Sequence, residues 1–122
     1  YFAPEEPFYI MSDKDKLEQV IINIISNAVK YTQENGNIEI YVGKLYTDAF
    51  IKVCDNGIGI PKENLPRIFE RFYRVDKARS RETGGTGLGL AIAKQIMTQL
   101  GGNITINSTY GKGTEVIVAV PL

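Results

Sequence analysis

The chain has 122 residues, 43% hydrophobic and 23% charged, the size and balance of one globular domain with a single core. Fourteen Lys and Arg balance fourteen Asp and Glu, so bulk charge argues against a dedicated nucleic-acid or membrane-surface binder. One Cys excludes a disulfide framework within the chain and fits a reducing compartment, and the lack of His excludes Ser-His-Asp triads, imidazole acid–base chemistry and His-ligated zinc.

The chain opens on Tyr1-Phe2-Ala3-Pro4 without a Met. Residues 1–122 are expected to be a single domain cut from a longer protein. No run nears the roughly 18 apolar residues of a membrane helix, and no basic-then-apolar leader is present. Phe8 to Met11, after Pro7, reads as an edge strand. Ser12-x-x-Asp15 resembles a capping signal, and the helix it opens carries Leu17, Val20, Ile21, Ile24, Ile25, Ala28 and Val29 at helical spacing. Asn35-Gly36 is a turn, residues 37–42 alternate as a half-buried strand, and residues 50–54 read as its hairpin partner. Pro61 starts a second predicted helix with Leu65, Ile68, Phe69 and Phe72 as its stripe. Residues 73–87 read as a loop, and a third helix runs from about Leu88 to Leu100 before Gly101-Gly102. A last hairpin turns at residues 110–113, between a strand with Ile104 and Ile106 and a strand from Glu115 to Val120. Helices and antiparallel strands are partly segregated, which predicts a two-layer α/β sandwich rather than alternating βαβ units.

Four constellations could carry chemistry. Asn23, Asn27 and Lys30 fall on one stripe of the first helix, at the margin of its apolar face, with Tyr31 beside them. Asn is a poor helix-interior residue, so two of them one turn apart ask for a reason. Paired amide oxygens could serve a hard cation and Lys30 an anion. Taken alone, the stripe also reads as the solvated face of an amphipathic helix. Asp55-Asn56-Gly57-Ile58-Gly59-Ile60-Pro61 directly follows a strand. Its glycines permit close backbone approach to a ligand, and Asp55 can accept from an exocyclic amine, although a plain Asp-Asn-Gly turn has the same letters. Gly85-Thr86-Gly87-Leu88-Gly89-Leu90 leads into the third helix, where backbone N–H groups and the helix dipole suit a phosphate. It is neither a Walker A loop nor a dinucleotide fingerprint. Residues 62–81 hold seven of the fourteen basic residues against three acids, a local bias suited to polyphosphate. A nucleic-acid patch is the weaker alternative, because few aromatics accompany the charges.

In this order the four resemble the catalytic ATP-binding domain of bacterial sensor histidine kinases, in the GHKL (HATPase) superfamily. The resemblance runs from about Phe8 to Pro121. Residues 13–32 look like the N box, 55–61 the G1 box, 68–74 the F box, 85–90 the G2 box, and Gly111-Lys112-Gly113-Thr114 the closing glycine motif. Residues 72–79 are especially similar to the phosphate-sensing and cell-wall-controlling subgroup.

The resemblance implies a Bergerat ATP-binding fold, with a mixed sheet covered on one face by three helices. It implies ATP and Mg²⁺ as cofactors. Asn23 and Asn27 would hold the metal. Lys30 would touch phosphate, and Tyr31 would lie against adenine. Asp55 would accept from the adenine amine, with Gly59 allowing close approach and Thr114 near the base, and Gly57, Ile60 and Phe69 would also bind the nucleotide. Gly87, Leu88 and Gly89 would offer backbone N–H groups, Gly85 and Thr86 would also bind the nucleotide, and Arg74 would reach the terminal phosphate as charge develops. Lys30, Arg74 and Asn23 are the residues expected nearest the chemistry. Residues 74–86 would form a lid. The implied activity is a protein-histidine kinase whose acceptor His lies on a separate dimerising helical hairpin. The implied partners are that hairpin and a response regulator, with no nucleic acid. The full-length protein would be a homodimer anchored in the bacterial cell membrane, and the isolated domain monomeric and cytoplasmic. The rival readings are a serine-kinase anti-sigma factor, a GHKL ATPase of the same fold, and a non-catalytic ATP-sensing module. A GHKL ATPase would need a catalytic Glu where Asn23 stands.

Overall fold

The structure is a computed structural model that describes residues 1–5, 7–70 and 89–122. Among the described residues, two α-helices and a four-stranded sheet form two layers. Helix α1 spans Lys14–Tyr31 and α2 Gly89–Gln99; the strands are β1 Ile38–Leu45, β2 Asp48–Asp55, β3 Asn103–Thr109 and β4 Gly113–Pro121.

Helix α1 starts one residue later than the Ser12 signal suggested. Asp13 is the N-cap, and its carboxylate accepts from the Lys16 N–H at 3.1 Å. At the other end the Thr32 hydroxyl donates to the Ala28 carbonyl at 2.7 Å, satisfying one of the last orphan acceptors. Helix α2 stops where the Gly pair predicted. The Gly102 N–H reaches the Met97 carbonyl and the Gly101 N–H the Thr98 carbonyl, a Schellman pair that needs Gly101 at φ 74.

The segment after Pro61 is not the α-helix expected from its apolar spacing. Residues Lys62–Arg67 form a 3₁₀ helix containing Pro66. Proline has no N–H and its ring crowds the carbonyl four residues back, so the tighter turn wins. The bonds around it are accordingly three residues apart, from Asn64 to Pro61 and from Ile68 to Leu65.

The sheet order is β1-β2-β4-β3, and every pairing between these strands is antiparallel. Among the described residues, the parallel component expected of a mixed sheet is a single bridge, Phe2 with Tyr41. It also replaces the edge strand predicted at residues 8–11, which are not in a strand. Phe2 donates to the Ile40 carbonyl and accepts from the Val42 N–H, and its ring stacks on Tyr41 at 4.6 Å. Phe8 and Ile10 instead turn toward the core. The β1–β2 connection is a two-residue turn, with Leu45 paired to Asp48 and Tyr46 at φ 56.

Register places the core. On the helix side of the sheet, the row Val42, Ile51, Val118, Ile104 is followed by the row Ile40, Val53, Val116, Ile106. Val20, Ile24 and Ala28 of α1 and Ala93, Ile96 and Met97 of α2 are buried against these rows. Helix α1 lies over β2, α2 over β3, and the 3₁₀ helix against β3. Val20, Ile24, Val53 and Met97 are the largest fully buried side chains, each contributing about 1.5–3 kcal/mol of apolar burial. Val29, one of the apolar residues at helical spacing on α1, is more than half exposed, and so is Ile22.

Candidate functional site

The next row along the same face is different. It reads Ile38, Asp55, Thr114, Ser108 across β1, β2, β4 and β3. Three polar side chains thus continue the core face where the apolar rows end.

Asp55 is half-buried at the C-terminal end of β2. Its Oδ1 accepts from the Gly57 N–H at 2.9 Å, an Asx-type bond that starts the following turn. Burial raises its carboxyl above the ordinary Asp value, and bonds from the Gly57 and Thr114 N–H groups offset part of that rise. The result is an acceptor held partly out of water.

The turn after Asp55 is fixed on three sides. The Ile58 N–H donates to the Tyr31 carbonyl at 3.3 Å, tying it to the end of α1. Asn56 and Asn37 exchange bonds, with the Asn37 N–H on the Asn56 side-chain oxygen at 2.7 Å and the Asn56 N–H on the Asn37 carbonyl at 3.2 Å. The Gly111 N–H donates to the Ile58 carbonyl at 2.6 Å, tying the turn to the β3–β4 hairpin. Backbone therefore packs on backbone. A Cβ at Gly57 would strike the Tyr31 carbonyl, and one at Gly59, where φ is 74, would strike the Thr109 carbonyl.

Ser108 was not legible as a site residue. Its hydroxyl accepts from the Ile60 N–H at 2.7 Å, donates to the Gly113 carbonyl at 2.9 Å and contacts the Thr114 hydroxyl at 2.9 Å. The available signal was its place in the pattern: after Ile104 and Ile106 it is the third core-facing position of β3, where a hydroxyl needs partners.

On α1, Asn23, Asn27, Lys30 and Tyr31 are all half-buried. The stripe is therefore not the solvated face, which Asp15, Glu18, Gln19, Ile22 and Ser26 supply instead. Asn23 Nδ2 donates to the Gly89 carbonyl at 3.4 Å, bridging α1 to the start of α2. That bond uses the amide N–H and leaves the amide oxygen to accept elsewhere. Lys30 sits in the last turn of α1, where its charge also complements the helix dipole. Phe69 packs against the core, and Lys94 Nζ lies 4.7 Å from its ring centroid. Ile60 is buried beside Ser108.

One end of the sheet thus gathers Asp55, Gly57, Gly59, Ile60 and Thr114, and Tyr31 at the end of α1 is joined to it through the Ile58 bond. Asn23 meets Gly89 across the helices. Arg74, Gly85, Thr86, Gly87 and Leu88, with the predicted lid, lie outside the described residues.

Residues 12–122 match the model of the histidine kinase-, DNA gyrase B-, and HSP90-like ATPases. The chain belongs to this family. It is 49% identical over 120 residues to the sensor histidine kinase WalK of Bacillus subtilis, covering 97% of this chain and 20% of that protein. It is 48% identical over 121 residues to the sensor protein kinase WalK of Staphylococcus saprophyticus, again over 20% of that protein. The chain therefore spans about a fifth of these relatives. Among solved structures, the catalytic domain of histidine kinase ThkA superposes with a TM-score of 0.82 at 32% identity, covering 98% of this chain and 76% of that one. Full-length ShkA in complex with AMPPNP superposes with a TM-score of 0.74 at 32% identity, over 89% of this chain and 22% of that one. The chain is the ATP-binding catalytic domain of a sensor histidine kinase. Among the described residues, no helix is long and apolar enough to cross a membrane.

Proposed function

We propose that this domain holds Mg²⁺-ATP at the Asp55 end of the sheet and donates its γ-phosphoryl group to a His on a separate dimerisation domain. The observation that carries the reading is the Asp55 carboxylate itself. It is half-buried, its pKa is raised by burial, and it sits beside a backbone cradle too close for side chains. Such an acceptor suits the exocyclic amine of adenine, because a charge-assisted bond regains what burial cost.

The residues present fit the triphosphate and its metal. Asn23 and Asn27 offer amide oxygens, the hard ligands that Mg²⁺ prefers, and Mg²⁺ would shield the phosphate charges. Phosphoryl transfer depends on positioning and charge neutralisation more than on covalent work by the protein. Lys30, on the same stripe of α1 as Asn27, would neutralise phosphate. Arg74 would meet the terminal phosphate as charge leaves it. Tyr31, Gly57, Gly59, Ile60, Phe69 and Thr114 would enclose the base, and Gly85, Thr86, Gly87, Leu88 and Gly89 would offer backbone N–H groups to the phosphates. Asn23 is an amide where a hydrolysing relative would carry a Glu base, so water activation would be slow.

The phosphoacceptor lies elsewhere, because the chain has no His. The proposed partners are the dimerisation domain of the same protein and, downstream, a response regulator. The full-length protein would be a homodimer anchored in a bacterial membrane, with this domain monomeric in isolation and on the cytoplasmic side.

Calorimetric titration with ATP, with and without Mg²⁺, tests the binding half. Mg²⁺ should tighten binding in the parent. Asn27→Asp should weaken it, by replacing an amide ligand with a charge close to phosphate. Parent-like affinity and metal dependence in that variant would remove Asn27 from the metal site.

A further inference from the structure

We infer that Ser108 is a positioning residue for base selection, and that it acts by fixing the direction of the Thr114 hydroxyl. The inference rests on the nucleotide reading above.

A serine hydroxyl has one proton and two lone pairs. The Ile60 N–H takes one lone pair of Ser108 at 2.7 Å, since a backbone N–H can only donate. The Gly113 carbonyl can only accept, so the single proton of Ser108 goes there, at 2.9 Å. The remaining contact, Thr114 Oγ1 at 2.9 Å, must then be filled by the proton of Thr114. Ser108 is saturated, and Thr114 has given its only proton away. Its oxygen keeps two lone pairs and no donor.

Thr114 is the register partner of Asp55. The end of the core face therefore presents two neighbouring groups that only accept, a carboxylate and a threonine oxygen. A base edge carrying an amine meets acceptors there. A base edge carrying a carbonyl at the same place meets lone pairs on both. Without the Ser108 hydroxyl, the Thr114 hydroxyl can rotate and donate, and the penalty against a carbonyl shrinks. Ser108 itself need not touch the nucleotide.

The test compares ATP with inosine triphosphate, both with Mg²⁺, on the 122-residue chain; inosine replaces the exocyclic amine by a carbonyl and turns the adjacent ring nitrogen from acceptor to donor, so the penalty read is the one at the exocyclic position. Parent protein should prefer ATP. In Ser108→Ala that preference should fall by about three- to tenfold, the worth of one neutral hydrogen bond. Ser108→Thr keeps the hydroxyl and should restore the parent ratio. Thr114→Val leaves the Ser108 bonds to Ile60 and Gly113 intact and should lose the preference to a similar extent. Adding Ser108→Ala to Thr114→Val should not change the ratio further.

Equal losses of ATP and inosine triphosphate affinity in Ser108→Ala would make Ser108 a structural strut and overturn the inference. Full discrimination in Thr114→Val would overturn it as well. A parent that binds neither nucleotide, or both equally, would instead sink the nucleotide reading on which the inference stands.

Discussion

Asp55 and Thr114 face each other across the β2–β4 register on the helix side of the sheet, one row beyond the Val53–Val116 pair. The candidate site is thus the polar continuation of the hydrophobic core. Asp55 borrows its partial burial from the same packing that buries Val53. With the proposed base contact at Asp55, affinity and stability pull against each other at this position.

Asp55→Asn should separate the two. The carboxylate's charge is disfavoured by burial, and an amide of the same size carries no such cost. In differential scanning fluorimetry the ligand-free variant should melt no lower than the parent. In calorimetry its ATP affinity should fall by about tenfold or more, the scale of a charge-assisted bond. A variant that melts lower but binds ATP normally would reverse the assignment.

The pH dependence has a definite sign. Burial raises the folded-state pKa of Asp55 above its ordinary value of 3.8, so the folded chain binds this proton more tightly than the unfolded chain. Its contribution to stability is therefore greatest below the ordinary value and is lost as pH rises through the raised one. With the proposed base contact, nucleotide binding runs the other way, because an amine donor needs the carboxylate. Lowering the pH from neutrality toward 3.8 should weaken ATP binding more in the parent than in Asp55→Asn. Parallel affinity profiles for the two proteins would remove Asp55 from the base contact.

Gly59 and Gly101 share a φ of 74 but not their surroundings. A Cβ at Gly59 meets the Thr109 carbonyl, and one at Gly101 meets nothing within 4 Å. Gly101→Ala should cost about 1–2 kcal/mol in urea unfolding, the strain of a left-handed residue alone. Gly59→Ala should cost more than that and should also weaken ATP binding, since the turn must move. Equal costs at the two positions would mean that the turn after Asp55 is not held as tightly as its contacts imply.

Much of this was legible because single residues carry strong local physics. The turn at Asn35-Gly36, the stop at Gly101-Gly102, the two hairpins and the helix from Lys14 to Tyr31 follow from spacing and terminal residues. The gathering of Asp55, Gly57, Gly59, Ile60 and Thr114 at one end was reachable through the boxes that carry the family resemblance. What escaped depended on competition between signals. Pro66 turned an apolar helical pattern into a 3₁₀ helix. Phe2, rather than residues 8–11, took the position beside β1, because its backbone bonds to Ile40 and Val42 were invisible in the letters. The turn at Tyr46-Thr47 carries neither Gly nor Asn, so nothing local announced it. Ser108 escaped because its importance lies in its partners, Gly113 and Thr114 across the hairpin and Ile60 far away in sequence.

The central claim is that this domain supplies phosphate to a histidine it does not contain. The most direct measurement uses γ-labelled ATP and the 122-residue chain, alone and then joined to a dimerising helical hairpin bearing the acceptor His. Acid and base stability of the labelled product identifies the bond. The chain alone should bind ATP, hydrolyse it slowly and carry no label. The joined protein should become labelled on His, far faster than when the hairpin is added in trans, because tethering raises the effective concentration to about the millimolar range. Arg74→Ala should reduce that labelling more than it reduces ATP binding, since its charge matters most as the phosphate leaves. Rapid steady-state hydrolysis by the isolated chain, or label on a Ser of a partner rather than on His, would contradict the account.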